Sequence, residues 1–144
     1  MEIILTGIEY SGTTTMATAI TDWYESVAGD TNFGFHDHFK VPHVVHAPLT
    51  DEEQKLVLAM SPRLKEAVQR HQMEYHVQPT FFREGEISMT GLHIEDAVYG
   101  PLYWGYGGEG EEWDRSVVSS QIEDQILKFG SKPVLVLMKA SVDV

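Results

Sequence analysis

Two glycines and the threonines that follow them are the residues of this chain best suited to do chemistry. The segment reads Gly7-Ile8-Glu9-Tyr10-Ser11-Gly12-Thr13-Thr14. Two glycines at this spacing let a loop curl so that successive backbone N–H groups point at phosphate oxygens, as in the pattern G-x-x-x-x-G-K-[ST]. The segment therefore predicts a phosphate-binding loop in which Thr14 offers its hydroxyl to Mg²⁺.

The pattern is broken at one position, because Thr13 stands where it requires lysine. The lysine reaches the β- and γ-phosphates of a nucleotide, whereas threonine has only a neutral hydroxyl. Two interpretations stay open, a phosphate site and a tight strand-to-helix turn with no ligand. On the first, the residues that bind the nucleotide are Gly7, Glu9, Tyr10, Ser11, Gly12, Thr13, Thr14 and Thr15.

The loop needs a strand before it and a helix after it, and the sequence predicts both. Residues 2–6 form a short Ile- and Leu-rich run that is typical of a buried parallel strand. Residues 13–27 show apolar side chains at three- and four-residue spacing, which predicts an amphipathic helix that ends near Gly29. Its apolar face would consist of Met16, Ala19, Ile20, Trp23 and Val27.

Further elements alternate along the chain. Residues 32–39 predict a second strand, and Thr50 with Glu53 forms a capping box that predicts the start of a long helix. Pro62 is expected to kink or split that helix. Its apolar positions are Leu56, Met60, Leu64, Ala67 and Val68.

The last part of the chain continues the alternation. Residues 86–92 predict a third strand, residues 94–103 a helical or irregular segment, and residues 104–113 an exposed, mobile loop. Asp114 or Ser116 would cap a helix that runs to residue 127, and residues 133–138 predict a fourth strand. This order predicts an α/β fold with three layers, α/β/α, and a doubly wound, mainly parallel sheet.

Composition limits the classes of partner. The chain has 22 acidic and 10 basic residues, a formal net charge of −12 and no cysteine. The scattered lysines and arginines argue against nucleic acid binding, and the absence of cysteine excludes disulfides, thiolate catalysis and Cys-based zinc sites. The first residues fit neither a signal peptide nor a transmembrane helix, so we expect a cytoplasmic protein that does not bind membranes.

Three segments together resemble the thymidylate kinase-like branch of the P-loop nucleoside and nucleotide kinases. Residues 7–14 are similar to the phosphate loop of that family, except at Thr13. Residues 36–42 are similar to the segment that faces the phosphate acceptor, with Asp37 as the carboxylate. Residues 92–99 are similar to the acceptor-site segment after the third strand, where His93, Glu95 and Tyr99 are the nearest counterparts and the family arginine is absent.

The resemblance implies ATP and Mg²⁺ as cofactors and a nucleoside or nucleoside monophosphate as the small-molecule acceptor of the γ-phosphoryl group. Asp37 and Glu95 would be catalytic, and Thr14 and Asp37 would hold the metal. His93 and Tyr99 would contact the substrate. For Asp37 the alternative is a solvated carboxylate at a strand end, and for Glu95 it is the start of a capped helix.

The family lid, which brings arginines to the phosphates, has no counterpart, so we expect a single kinase-like domain over residues 1–144 that is truncated or abbreviated. Arg115 is the basic residue near a flexible loop. It would replace the lid arginines in substrate binding or be exposed at a helix start. Because Thr13 replaces the lysine and the lid has no counterpart, a second function stays open. The chain would then be a catalytically impaired module that binds a nucleotide or phosphate. Apolar positions left uncovered on the sheet would favour a homodimer.

Two clusters of residues carry weaker hypotheses. Four histidines near two prolines are compatible with a metal site, but their spacing matches no standard one and favours surface histidines. They are His36, His38, His43 and His46. Among the aromatic residues, Tyr99 and Tyr103 are expected to pack in the core, and Trp104, Tyr106 and Trp113 to lie over a ligand cleft or a partner surface.

Overall fold

The computed structural model describes residues 3–29, 34–37, 49–78, 87–128 and 132–141, and strands and helices alternate through them. Of His36, Asp37 and Ile87 it describes the backbone and not the side chain. The elements are β1 (Ile3–Gly7), α1 (Thr13–Ala28), β2 (Gly34–Asp37), α2 (Asp51–Ala59), α3 (Pro62–His76), β3 (Ile87–Thr90), α4 (Leu92–Tyr99), a π-helical turn (Gly100–Trp104), α5 (Arg115–Lys128) and β4 (Val134–Met138).

The four strands form one parallel sheet in the order β2-β3-β1-β4. β1 pairs with β3 through Ile4 and Leu5, and with β4 along its whole length from Ile3 to Gly7. Because every strand runs in the same direction, all their carboxyl ends lie at one edge of the sheet. The loop after β1 therefore lies next to the ends of both neighbouring strands.

Helices cover both faces of this sheet. Ile4 and Met89 pack with residues of α3, α4 and α5 in the main hydrophobic core. Successive strand residues point to opposite faces, and Thr90, the neighbour of Met89, faces Ala17 of α1. The predicted three-layer, doubly wound α/β fold is confirmed.

Helix α1 begins at the predicted residue but turns a different face to the sheet. Gly29, with φ 67°, ends it and donates its N–H to the Glu25 carbonyl, as expected. Ala17 is its buried residue, whereas Trp23 and Val27 are more than half exposed. The predicted apolar face was wrong because the small Ala17, and not the large side chains, packs against the strands.

The long helix predicted after residue 50 consists of two helices. Thr50 and Glu53 form the predicted capping box at the start of α2. Pro62 splits the segment, since it is the first residue of α3 and Ser61 caps that helix. The buried side chains of α3 include Glu66 and Gln69, so the predicted apolar face was wrong here too.

A buried arginine explains why polar side chains of α3 point inward. Arg115, at the start of α5, is 1% exposed. Its Nη1 lies 3.0 Å from Glu66 Oε1 and its Nε 2.7 Å from Asp96 Oδ2. The Tyr106 hydroxyl donates to the other Asp96 oxygen at 2.9 Å. This network joins α3, α4 and α5, and the expectation of an exposed Arg115 was wrong.

Burial and charge act against each other within the network. Burial raises the pKa of Asp96, and the Arg115 guanidinium and the Tyr106 hydroxyl oppose that rise. Burial and the neighbouring Asp96 carboxylate raise the pKa of Tyr106 far above its ordinary value, so its hydroxyl remains a hydrogen-bond donor. The Arg115 guanidinium therefore offsets the free-energy cost of burying the Glu66 and Asp96 carboxylates.

The glycine-rich segment before α5 packs against the protein more closely than its composition predicts. Tyr106 is 4% exposed and its ring lies under the Arg115 guanidinium at 4.7 Å. A Cβ on Gly107 would lie 2.5 Å from Arg115 Cγ, so glycine allows this close packing. Tyr106 fills space beside the arginine, and with Trp113 it lines a cavity of about 470 Å³ between α3 and this segment.

The fourth strand was predicted correctly, but it lies at the edge of the sheet. Its residues Val134, Leu135 and Leu137 are more than half exposed. The apolar run therefore reflects an uncovered strand and not a buried one. Within the described residues, no helix has the length and hydrophobicity to span a membrane.

Removal of the buried guanidinium should be strongly destabilising. We expect Arg115→Met to lower the free energy of unfolding by about 3–5 kcal/mol, because Glu66 and Asp96 would stay buried without a cation. Urea denaturation measures the loss. The matched control is Arg63→Met on the exposed side of α3, which should change stability by no more than about 0.5 kcal/mol. Equal stability of both variants would contradict the ion network.

Candidate functional site

The loop of residues 8–12 joins the carboxyl end of β1 to the amino end of α1. Ser11 donates its N–H to the Ile8 carbonyl at 3.0 Å, which closes a turn. Tyr10 (φ 63°) and Gly12 (φ 89°) are both in the left-handed region, which glycine adopts readily and tyrosine does not. The loop thus reverses the chain sharply, and it leaves the Tyr10 ring fully in solvent.

The amino end of α1 offers backbone donors at the same edge. The first bond of the helix runs from Met16 N–H to the Gly12 carbonyl at 2.9 Å. The N–H groups of Thr13, Thr14 and Thr15 consequently have no partner within the helix. Such donors, together with the helix dipole, favour an anion without requiring a positive side chain.

Ser11 and Gly7 form a close contact at the base of the loop. A Cβ on Gly7 would lie 2.3 Å from Ser11 Oγ and 2.9 Å from the Met138 Cβ, so this position requires glycine. The Ser11 side chain is buried, and its hydroxyl has no hydrogen-bond partner among the described residues. A buried polar group without a partner is costly, and a hydrogen bond to a polar ligand at the loop would offset that cost.

Glu95 lies directly beneath the loop. Gly91, with φ 80°, turns the chain from β3 into α4 and donates its N–H to the Leu5 carbonyl at 2.8 Å. This places Glu95, 9% exposed, against the end of β1. The Thr6 hydroxyl and the Gly7 N–H both donate to Glu95 Oε1 at 3.4 Å. The carboxylate therefore holds the first peptide of the loop.

A cavity of about 390 Å³ opens beside this carboxylate, on the α4 face of the sheet. Its walls come from the ends of β1 and β4 and from α4. Of the predicted site residues it brings together Gly7, Glu95 and Tyr99. The Tyr99 ring stacks on Tyr103 with centroids 5.5 Å apart, which fixes its position at the cavity wall.

A second cavity of about 350 Å³ lies on the α1 face and is lined by Thr14, Phe35 and Thr90. Thr14 is exposed there, and Asp37, the last residue of β2, pairs with Thr90 in the sheet. The backbone thus brings the two predicted metal ligands to one edge. The Asp37 side chain is outside the part that the structure describes.

Two other predicted substrate residues lie away from both cavities. His93 is buried on the α5 side of α4, where its Nε2 lies 3.3 Å from Glu123 Oε1. Burial lowers the pKa of His93, and Glu123 opposes that shift. Arg115 belongs to the ion network described above. Glu9, like Tyr10, is exposed on the outer part of the loop.

The remaining hypotheses concern the histidine cluster and the two tryptophans Trp104 and Trp113. His38, His43 and His46 are outside the described residues, as is the side chain of His36. Across the described ranges, no group of three His, Asp or Glu residues could hold a metal ion. Trp104 and Trp113 lie under cations of α3, with Lys65 5.3 Å and Arg70 4.2 Å from the ring centroids.

Sequence reasoning missed the residues that reach the loop through strand pairing. Thr6 and Lys139 line the same cavity as Glu95, and Thr90 lines the other one. Each of them lies within one residue of the carboxyl end of an apolar strand, and this was the available signal. Which strand ends adjoin the loop depends on the strand order, which the sequence pattern leaves open.

A strand, a glycine-bounded loop and a helix lie at one edge of the parallel sheet of a doubly wound α/β fold. No protein-family model matches the chain, and no curated protein matches it. Among solved structures it is similar to thymidylate kinase from Ehrlichia chaffeensis, with a TM-score of 0.53 and 17% identity over 97% of this chain and 77% of that one. At this identity the likeness shows the fold alone.

The tight base of the loop makes Gly7 sensitive to a single methyl group. We expect Gly7→Ala to destabilise the protein by about 1–3 kcal/mol, since the new Cβ would overlap Ser11 and Met138. Urea denaturation again gives the value. In Gly34→Ala the Cβ meets nothing within 4 Å, so this control should keep the stability of the parent. If Gly7→Ala left the free energy of unfolding unchanged, the base of the loop would have room for a Cβ and the prediction would be wrong.

His93 should make the protein sensitive to acid. Its folded pKa lies below the unfolded value of about 6.5, so the unfolded chain binds the proton more readily. Its contribution to stability is present above that pH and is lost as the pH falls through the folded pKa. We expect His93→Gln to lose less unfolding free energy than the parent between pH 7 and pH 5. His71→Gln, an exposed control, should follow the parent, and parallel curves for all three proteins would refute the prediction.

Proposed function

We propose that this chain is a nucleoside or nucleoside-monophosphate kinase-like protein that binds ATP with Mg²⁺ at residues 7–15. The observation that carries the proposal is the loop between β1 and α1. It combines amino-end N–H groups of α1 and a buried Ser11 hydroxyl that have no partner in the described part of the chain with a base that only glycine can occupy at position 7. The likeness in fold to a thymidylate kinase supports the same interpretation.

The phosphate chain would be held mainly by backbone groups. The N–H groups of Thr13, Thr14 and Thr15 and the Ser11 hydroxyl are the donors that this proposal assigns to phosphate oxygens. Thr14 and Asp37 would hold Mg²⁺, which when bound neutralises charge on the phosphate oxygens. Backbone donors suit a protein whose net charge is −12, because they attract an anion locally.

The acceptor would lie at the same edge, near Asp37 and Glu95. In the transfer, an acceptor oxygen bonds to the γ-phosphorus as the bond to the ADP oxygen breaks. Where the acceptor is a nucleoside hydroxyl, its proton passes to a carboxylate, whereas an ionised acceptor phosphate has no proton to lose. Asp37 is the carboxylate that we assign to the proton. Glu95 would keep the loop in position through Thr6 and Gly7, since phosphoryl transfer depends chiefly on positioning and charge.

A second function is favoured by one observation, the neutral side chain of Thr13. Without a cation at that position the loop would bind a nucleotide or phosphate and transfer nothing. Both functions require binding, and they differ in turnover. A homodimer in a cytoplasmic setting remains a prediction for either function.

Ligand-dependent unfolding tests the binding step. We expect Mg²⁺ with ATP or ADP to stabilise the protein by about 2.7 kcal/mol at a hundredfold excess over Kd. Thermal denaturation with ATP, ADP, dTMP and inorganic phosphate measures this. Thr14→Val should remove the part of the shift that depends on Mg²⁺. Ser26→Val, an exposed position near the carboxyl end of α1, is the control that should keep it.

The same samples separate the two functions. A cooperative transition that no ligand moves would refute nucleotide binding and leave residues 7–14 as a structural turn. If binding is observed, Thr13→Lys discriminates further. A gain of ATP turnover with dTMP or another nucleoside monophosphate supports the kinase, and binding with no gain supports the module.

A further inference from the structure

Lys139 follows β4 at the edge of the sheet that carries the loop. β4 pairs with β1 so that Met138 is opposite Gly7. Lys139, the residue after Met138, lines one cavity together with Ile8, where the loop begins, although 131 positions separate them in the chain. The strand register alone brings this lysine to the loop.

Lys139 also lines the cavity that contains Gly7, Ile8 and Glu95. It is the one lysine, arginine or histidine among the described residues of that cavity wall. The residue is exposed, and no carboxylate of the described segments forms an ion pair with it. The ammonium is therefore available to a ligand that lies across the start of the loop.

We propose that Lys139 contacts the phosphate groups of the bound nucleotide and supplies the positive charge that Thr13 cannot supply. This inference rests on the proposed function, since it assigns a residue to the same site. A lysine ammonium is a compact charge with three donors on a flexible stem. A lysine ammonium can therefore contact the phosphate oxygens from the end of β4 as well as from the start of α1.

Binding measurements with single variants test the role of the charge. Isothermal titration would use Mg²⁺-ATP, tripolyphosphate and adenosine as probes. Lys139→Ala should weaken Mg²⁺-ATP and tripolyphosphate about tenfold, which corresponds to one charge-assisted contact, and leave adenosine unchanged. Lys139→Arg should recover most of the loss, because it keeps the charge.

Lys132 is the matched control, since it is exposed and precedes the same strand at its opposite end. Lys132→Ala should bind all three probes as the parent does. A thermal transition of Lys139→Ala without ligand that matches the parent shows that the fold is intact. Lys139→Gln, which keeps the aliphatic stem, is a second neutral variant that should behave like Lys139→Ala.

The double variant Thr13→Lys with Lys139→Ala gives the sharpest outcome. If one charge replaces the other, Thr13→Lys should restore Mg²⁺-ATP binding in the Lys139→Ala background. Parent-like phosphate binding by Lys139→Ala would overturn the inference and leave the proposed function intact. An equal loss for adenosine would also overturn it, because Lys139 would then only shape the cavity. A parent protein that binds none of the probes would overturn the proposed function together with the inference.

Discussion

Parallel pairing of β1 with both β3 and β4 is the constraint on which the candidate site depends. It places three strand ends at one edge, and each contributes one group. β1 leads into the loop, β3 leads through Gly91 to Glu95, and β4 leads directly to Lys139. None of these groups is near another in sequence. Their proximity is a consequence of strand direction and order.

The buried network around Arg115 is the second requirement of the fold. It ties α3 to α4 and α5 through Glu66 and Asp96, and α4 in turn carries Glu95 beneath the loop. A buried charge of this kind is tolerated only when its partners are in place. The packing of one helix face thus follows from an ionic contact and not from the apolar periodicity of the sequence.

Much of the local structure could be predicted from the sequence because its signals are local. Gly29, the capping box of Thr50 and Glu53, and Pro62 act on backbone groups within a few residues, and each acts where it was predicted to. Burial was predicted less well. The apolar stripes of α1 and α3 are largely exposed, because Ala17 and Glu66 occupy the faces that contact the rest of the protein.

The sequence by itself determined the alternation of strands and helices, the doubly wound α/β class and the position of a glycine-bounded loop with Thr13 in place of lysine. These features depend on propensities and spacings within short segments. Only the tertiary structure decided that Glu95 and Lys139 share a cavity with Gly7, and that His93 and Arg115 face other helices. Such neighbours are set by strand order and register, because the contacts that select them join residues far apart in the chain.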